Sequence, residues 1–172
     1  MLHYFKTVLI LVTLSLLINF TVEAQDYDFN LISVHDLKIN ETITLGDSKD
    51  DVTGLIGDPD NIKPVHWEIN DVMVNVHKYD HSTLSFLDNT LESFYIKDQS
   101  FVLTHKDDEF KVGDSIDLLS AIFPVSFTNR FDNSMVIYFG VEVDGEMKPS
   151  VAYLYIEFDE NNIITGVSKR SR

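Results

Sequence analysis

The stretch Leu45-Gly-Asp-Ser-Lys-Asp-Asp-Val-Thr-Gly-Leu-Ile-Gly-Asp-Pro59 concentrates Gly and Asp and invites two chemical readings, a phosphate cradle and a calcium loop. A Walker-type cradle ends in Gly-Lys-Ser/Thr, which is absent here. A calcium loop needs oxygen ligands at nearly alternate positions and a distal bidentate acid. A second copy of the stretch decides against both. Ile43–Gly57 aligns without a gap on Phe110–Pro124, so that Gly46, Asp47 and Ser48 recur as Gly113, Asp114 and Ser115. Val52, Leu55 and Ile56 recur as Leu119, Ile122 and Phe123, whereas Lys49 and Asp51 become Ile116 and Leu118. The acidic set is lost between copies. What survives is an apolar i, i+3, i+4 face behind Asp and Ser, which can cap the first turn. The pattern predicts a capped helix, twice, closed by Gly57 in one copy and Pro124 in the other.

Other chemistry is sparse. His77-Lys-Tyr-Asp-His81 holds the single His pair at ligand-like spacing, with Asp80 as a third candidate ligand. On a helix, positions i and i+4 converge on one metal. This segment instead ends a Val-rich strand and enters a turn, so solvated turn residues are expected and no metal is assigned. His105-Lys-Asp-Asp-Glu109 reads as a charged, solvent-facing loop. There is no Gly-x-Ser-x-Gly elbow, no His-Glu-x-x-His helix and no Cys nucleophile. No catalytic residue and no cofactor are assigned.

The first residues read as an export signal. Lys6 precedes the apolar run Val8–Ile18, and Val22 and Ala24 are small residues placed for cleavage before Gln25, which makes 1–24 a leader. The run is about 11 residues, short of the about 20 needed to span a bilayer. No stable membrane anchor is therefore expected after cleavage, and the location is secreted or periplasmic. Without any Cys, the chain has no disulfide and no lipid-attachment thiol; small secreted animal domains usually lean on disulfides, so a bacterial export context fits better. The net charge of −15 opposes nucleic acid and anionic membranes; it allows a basic protein partner or cations, or serves solubility alone.

Between the helices the pattern changes to period two. Strands are expected at Val65–Ile69, Val72–Tyr79, Ser82–Leu87 and Leu91–Lys97 in the first half, and at Ser134–Glu142, Val151–Phe158 and Ile163–Lys169 in the second. Short extended pieces, Leu31–Val34 and Phe101–Thr104, lead each half in. Leu84–Phe94 and Ile156–Val167 share a strand, polar turn, strand reading with one residue inserted. The fold class is α+β: two tandem helix-plus-antiparallel-meander units, about 25–99 and 100–172, with the helices on one face of the sheets, packed as one body.

Alternation then sorts side chains. Val72, Val74 and Val76 are expected inward with Phe94, Ile96, Met135, Ile137, Phe139, Leu154, Ile156 and Phe158. The other face receives Tyr79, Tyr95, Tyr138, Tyr153 and Tyr155, with His77 and Glu157 among the polar residues. Large, rigid and amphipathic tyrosines suit an interface, so these five are the candidate partner-binding residues, Tyr153 and Tyr155 as anchors. The alternatives are plain strand propensity and packing of this face between the two units. Trp67, with Val65 and Ile69 beside it, is expected in the core.

Ile43-x-Leu-Gly-x-Ser-x-x-x-Val-x-x-x-Ile-Gly-x-Pro59 resembles the opening motif of the small lipoproteins of the outer-membrane β-barrel assembly machinery, and the tandem arrangement resembles the β-lactamase inhibitory proteins. The resemblance runs over Leu31 to Lys169 and implies protein binding, as an inhibitor or an envelope scaffold, instead of catalysis. It departs from those families in lacking the lipid-attachment Cys and the disulfides. A small-molecule or glycan binder using the tyrosine face is the alternative, followed by a hydrolase with an acidic pair.

Overall fold

A computed structural model describes residues 27–68 and 70–171; the expected leader, its cleavage point before Gln25 and Ile69 lie outside the described residues. The class is mixed α+β with sheet dominant. Among the described residues, eleven strands form two sheets. The larger takes β1 (Leu31–Ile32), β3 (Asn61–Trp67), β4 (Val72–Tyr79), β5 (Ser82–Leu87), β6 (Thr90–Ile96), β9 (Ser134–Val143), β10 (Glu146–Phe158) and β11 (Ile164–Ser171) in the order β1-β9-β10-β11-β6-β5-β4-β3. All its pairs are antiparallel except β1 with β9. The smaller sheet is β2 (Leu37–Ile39), β7 (Val102–His105) and β8 (Asp108–Lys111).

The two meanders meet at β6 and β11, where Ile96 pairs with Val167 and Tyr95 with Ser168. One core cluster spans that seam. It joins Leu84, Phe94 and Ile96 to Ile137, Leu154 and Val167, and to Leu37, Leu103 and Phe110 of the smaller sheet. Each such side chain, taken fully from water, contributes about 1.5–3 kcal/mol.

Helix α1 (Lys49–Ile56) starts at Ser48, whose hydroxyl accepts from the Asp51 N–H at 3.2 Å, and Asp50 and Asp51 complement the positive end of its dipole. Gly57 ends it at a φ of 87°, a left-handed position that favours glycine. Of the expected apolar face, Val52 is buried and Ile56 packs on the core, but Leu55 is exposed. The second helical stretch is broken. A 3₁₀ turn (Ile116–Leu118) leads into α2 (Leu119–Ile122) and α3 (Pro124–Thr128), so Pro124 begins a helix at its first position where it was expected to close one.

The two Gly-Asp-Ser stretches make matching contacts. The Asp47 carboxylate accepts from Thr44 N–H at 2.7 Å, and that of Asp114 from Lys111 N–H at 2.9 Å. Gly46 and Gly113, both at positive φ, donate their N–H to Leu91 and Ile164 carbonyls at 2.9 Å. Leu91 and Ile164 donate back to Asp47 and Asp114, while Lys49 and Ile116 donate to Asn89 and Asn162 at 2.8 Å. Both helix starts are therefore pinned to the turn of a following hairpin. In the second turn the Asp159 carboxylate accepts from the Ile163 and Asn161 N–H groups, which holds it below the usual carboxylate range.

Three elements differ from the sequence reading. The charged stretch is the β7–β8 hairpin: Lys106 to Glu109 are exposed as expected, with Lys106 at positive φ, but His105 is buried against Phe123. β2 and β8 are too short and mixed in polarity to show a period. On β4 the faces are exchanged. His77 is buried against Phe86, ring centroids 4.6 Å apart, and Tyr79 packs on the core, edge-on to Phe101 at 6.2 Å. The Val72, Val74, Val76 row consequently lies on the opposite face, where Val74 is buried apart from the main cluster. Both rows are apolar enough to be buried, so alternation alone does not choose between them. No helix among the described residues is long and apolar enough to cross a membrane.

Candidate functional site

The register of β9, β10, β11 and β6 places four of the five candidate tyrosines on the face opposite the main core. Tyr138 faces Tyr153, Tyr153 faces Arg170, and Tyr155 faces Ser168, which in turn faces Tyr95. All four tyrosines are half-buried. The Tyr138 and Tyr153 rings lie 5.7 Å apart, and Phe29, from the segment that enters β1, packs tilted against Tyr138 at 4.2 Å, with Tyr27 stacked on Phe29 beyond.

A polar network joins the remaining two. The Arg170 guanidinium sits 3.8 Å over the Tyr155 ring, a cation–π contact, and its Nη2 reaches Glu157 Oε1 at 3.3 Å. The Tyr95 hydroxyl donates to Glu157 Oε2 at 2.8 Å. Gly166 lies beneath: a Cβ there would fall 2.7 Å from Glu157 Oε2 and 3.1 Å from Tyr95 Cε2. A side chain there would push the Glu157 carboxylate and the Tyr95 ring aside, so the glycine lets both close over the strand. The result is a pre-organised patch of aromatic rings with one paired anion and cation.

Tyr79 does not belong to this face. It fills the core side of β4, and its hydroxyl points to the Gly57 carbonyl at 3.4 Å. Burial pushes that phenol above its ordinary pKa, and the nearby Asp58 carboxylate adds to the effect. The His77-Asp80-His81 set is not assembled either. His77 is core, with Nδ1 buried and unpartnered, and burial lowers its pKa, with Lys49 adding to the shift. Asp80 and His81 instead gather with Asp98 within 4.8 Å. Asp98 is already engaged there, accepting from Ser82 Oγ at 2.6 Å and His81 N–H at 3.1 Å.

Beside the tyrosine face lies a cleft of about 520 Å³, within the about 300–1,000 Å³ typical of small-ligand sites. It opens where β6 and β11 part company: the two strands pair at Tyr95–Ser168, but Glu92 and Ser93 have no ladder partner opposite Lys169 and Arg170. The Ser93 hydroxyl donates to the Lys169 carbonyl at 2.8 Å, and Lys169 Nζ donates to Glu92 Oε1 at 2.6 Å. Trp67 and Tyr153 contribute the aromatic walls. Trp67 is thus outside the core where it was expected. It ends β3 opposite Val72, on the side of the sheet away from the main cluster. Glu92, Lys169, Arg170 and Gly166 went unnoticed in the sequence. Arg170 shares its parity with Ser168 on a strand beside Tyr153 and Tyr155, a signal that depends on knowing the strand order.

Compared with known proteins, the chain matches no family model and no curated sequence. Among solved structures it is similar to a cysteine-rich secretory protein from Staphylococcus aureus subsp. aureus Mu50, with 14% identity and a TM-score of 0.39. The match covers 74% of this chain and 44% of that one, so the chain spans less than half the length of the protein it matches. A likeness of this degree carries no argument about fold or activity. The resemblance to the assembly lipoproteins and the β-lactamase inhibitory proteins is corrected: no family model places the chain with them. The motif that suggested them is a local device, a left-handed glycine, a turn-closing aspartate and a capping serine. Such local geometry does not identify a family.

Proposed function

We propose that this is an exported binding module that recognises another protein through the sheet face bearing Tyr95, Tyr138, Tyr153 and Tyr155, and that it arose as two tandem helix-plus-meander units of about 25–99 and 100–172. The matching hydrogen bonds of the two Gly-Asp-Ser stretches support the tandem reading. The observation that carries the binding role is the tyrosine face itself. The helices and the smaller sheet bury their apolar side chains against the other side of the large sheet, leaving these rings half-exposed around the Glu157–Arg170 pair. Tyr and Arg are the residue types that dominate binding hot spots, and here their conformations are set in advance by stacking and hydrogen bonds. The module works outside the cytoplasm, needs no cofactor and acts by complementarity, as an inhibitor or as a scaffold.

The test is capture from extracellular and envelope fractions of the source organism, with the native protein beside a Tyr95→Ala/Tyr155→Ala variant of unchanged circular dichroism. A partner held by the native protein and bound at least about tenfold more weakly by the variant supports the reading. A partner held equally by both removes the face from the binding role, and capture of none by the native protein removes the role itself.

A further inference from the structure

We propose that the cleft between β3, β6 and β11 is a binding site for a neutral, hydroxyl-rich sugar ring, held between Trp67 and Tyr153 and hydrogen-bonded by Glu92, Ser93 and Arg170. The site overlaps the tyrosine face at Tyr153 and Arg170, while Trp67, Glu92, Ser93 and Lys169 of its lining lie outside that face.

The class of ligand follows from what the lining offers and withholds. Its two cations are each paired within the protein, Lys169 with Glu92 at 2.6 Å and Arg170 with Glu157 at 3.3 Å, and Glu68 adds a further carboxylate to the lining. Among the described residues of the lining no surplus positive charge is available for a phosphate or carboxylate, and the chain's net charge of −15 further disfavours anions. A purely apolar ligand is also disfavoured, since it would strip water from those charged groups without replacing the hydrogen bonds. A pyranose meets both conditions. Its C–H face is positively polarised and suits the negative faces of the indole and phenol rings. Its hydroxyls both donate and accept, matching the mixture of carboxylate, guanidinium and hydroxyl around them.

Rigidity favours the same site. The Lys169 side chain is only 9% exposed and holds Glu92, which itself remains 43% exposed and accessible to a ligand. Arg170 is fixed by its stack on Tyr155 and its bond to Ser168 Oγ at 3.0 Å. A ligand entering the cleft therefore finds its polar partners already oriented, at little cost in side-chain entropy.

Trp67 is the chain's single tryptophan and reports directly on this cleft. The experiment is titration of the whole protein with cellotetraose, maltotetraose and the tetramer of N-acetylglucosamine, following Trp67 emission and, independently, calorimetric heat. At least one saccharide should give a saturable shift with matching heat. Tyr153→Phe, which keeps the ring, should retain that binding, whereas Tyr153→Ala and Glu92→Gln should each weaken it by about tenfold or more. Absence of binding by all three sugars at millimolar concentration overturns the proposal, as does binding that survives both Tyr153→Ala and Glu92→Gln unchanged. Capture of a protein partner through Tyr95 and Tyr155, neither of which lines the cleft, is read separately, so failure here is distinguishable from failure of the binding-module reading.

Discussion

His77 and His105 each bury an imidazole whose Nδ1 has no hydrogen-bond partner, one against Phe86 and the other against Phe123. Burial lowers the pKa of both below the ordinary 6.5, and the neighbouring Lys49 and Lys106 push the same way; Asp36 and Asp108 oppose the shift at His105 without reversing it. The folded protein thus binds these protons less readily than the unfolded chain. Their contribution to stability is complete above the unfolded pKa and is lost as pH falls from there through the folded values. Urea midpoints should accordingly drop between about pH 7.5 and about pH 5.5, and a His77→Leu/His105→Leu variant should show a clearly flatter dependence. Equal slopes for variant and native protein would assign the pH dependence to other groups.

At the scale of elements, the joint between each helix start and its hairpin turn is the unit of local order. Asp47 closes its turn with two acceptor contacts, to the Thr44 N–H at 2.7 Å and the Thr44 hydroxyl at 2.9 Å, while the stretch around it exchanges backbone hydrogen bonds with Leu91 and Asn89. Charge-assisted hydrogen bonds of this kind contribute about 1.5–3 kcal/mol each when partly buried. Asp47→Ala, which loses two such bonds, should therefore destabilise the protein by about 3 kcal/mol or more, and Asp114→Ala, which loses one, by about 2 kcal/mol. Asp50→Ala, at an exposed position beside them, should stay within about 0.5 kcal/mol. Equilibrium urea denaturation of the three variants checks the order, and an Asp50 effect equal to that of Asp47 would show that charge, and not the turn, is what matters.

Across the whole molecule the seam between β6 and β11 makes a single core out of two meanders. Ile96 is fully buried there and faces Val167, and Met135, far along the chain, belongs to the same cluster. Truncating either to Ala removes methylene contacts and leaves a void, at a cost of about 2–5 kcal/mol. With one cooperative body, Trp67 emission, which reports from β3, should show the midpoint lowered by Met135→Ala as much as far-ultraviolet circular dichroism does. A Trp67 transition unmoved by Met135→Ala would mean that the two halves unfold independently.

The sequence by itself determined the local pieces. Helix starts at Ser48 and Ser115 were legible because capping chemistry and apolar spacing act within a few residues. The strands from Val72 to Leu87 were legible to the residue because alternation and turn residues are equally local. Alternation also placed Tyr95, Tyr138, Tyr153 and Tyr155 on a common side. What only the tertiary structure decided depends on which strands become neighbours. The faces of β4 were not legible because each of its rows holds a buried side chain, Val74 on one and His77 on the other, and only the strands paired beside it decide which row meets the main cluster. Trp67 came to a cleft and not to the core because β6 and β11 separate beyond Tyr95 and Ser168. Glu92 meets Lys169, and Tyr95 meets Glu157, across separations in the chain that no short-range pattern encodes.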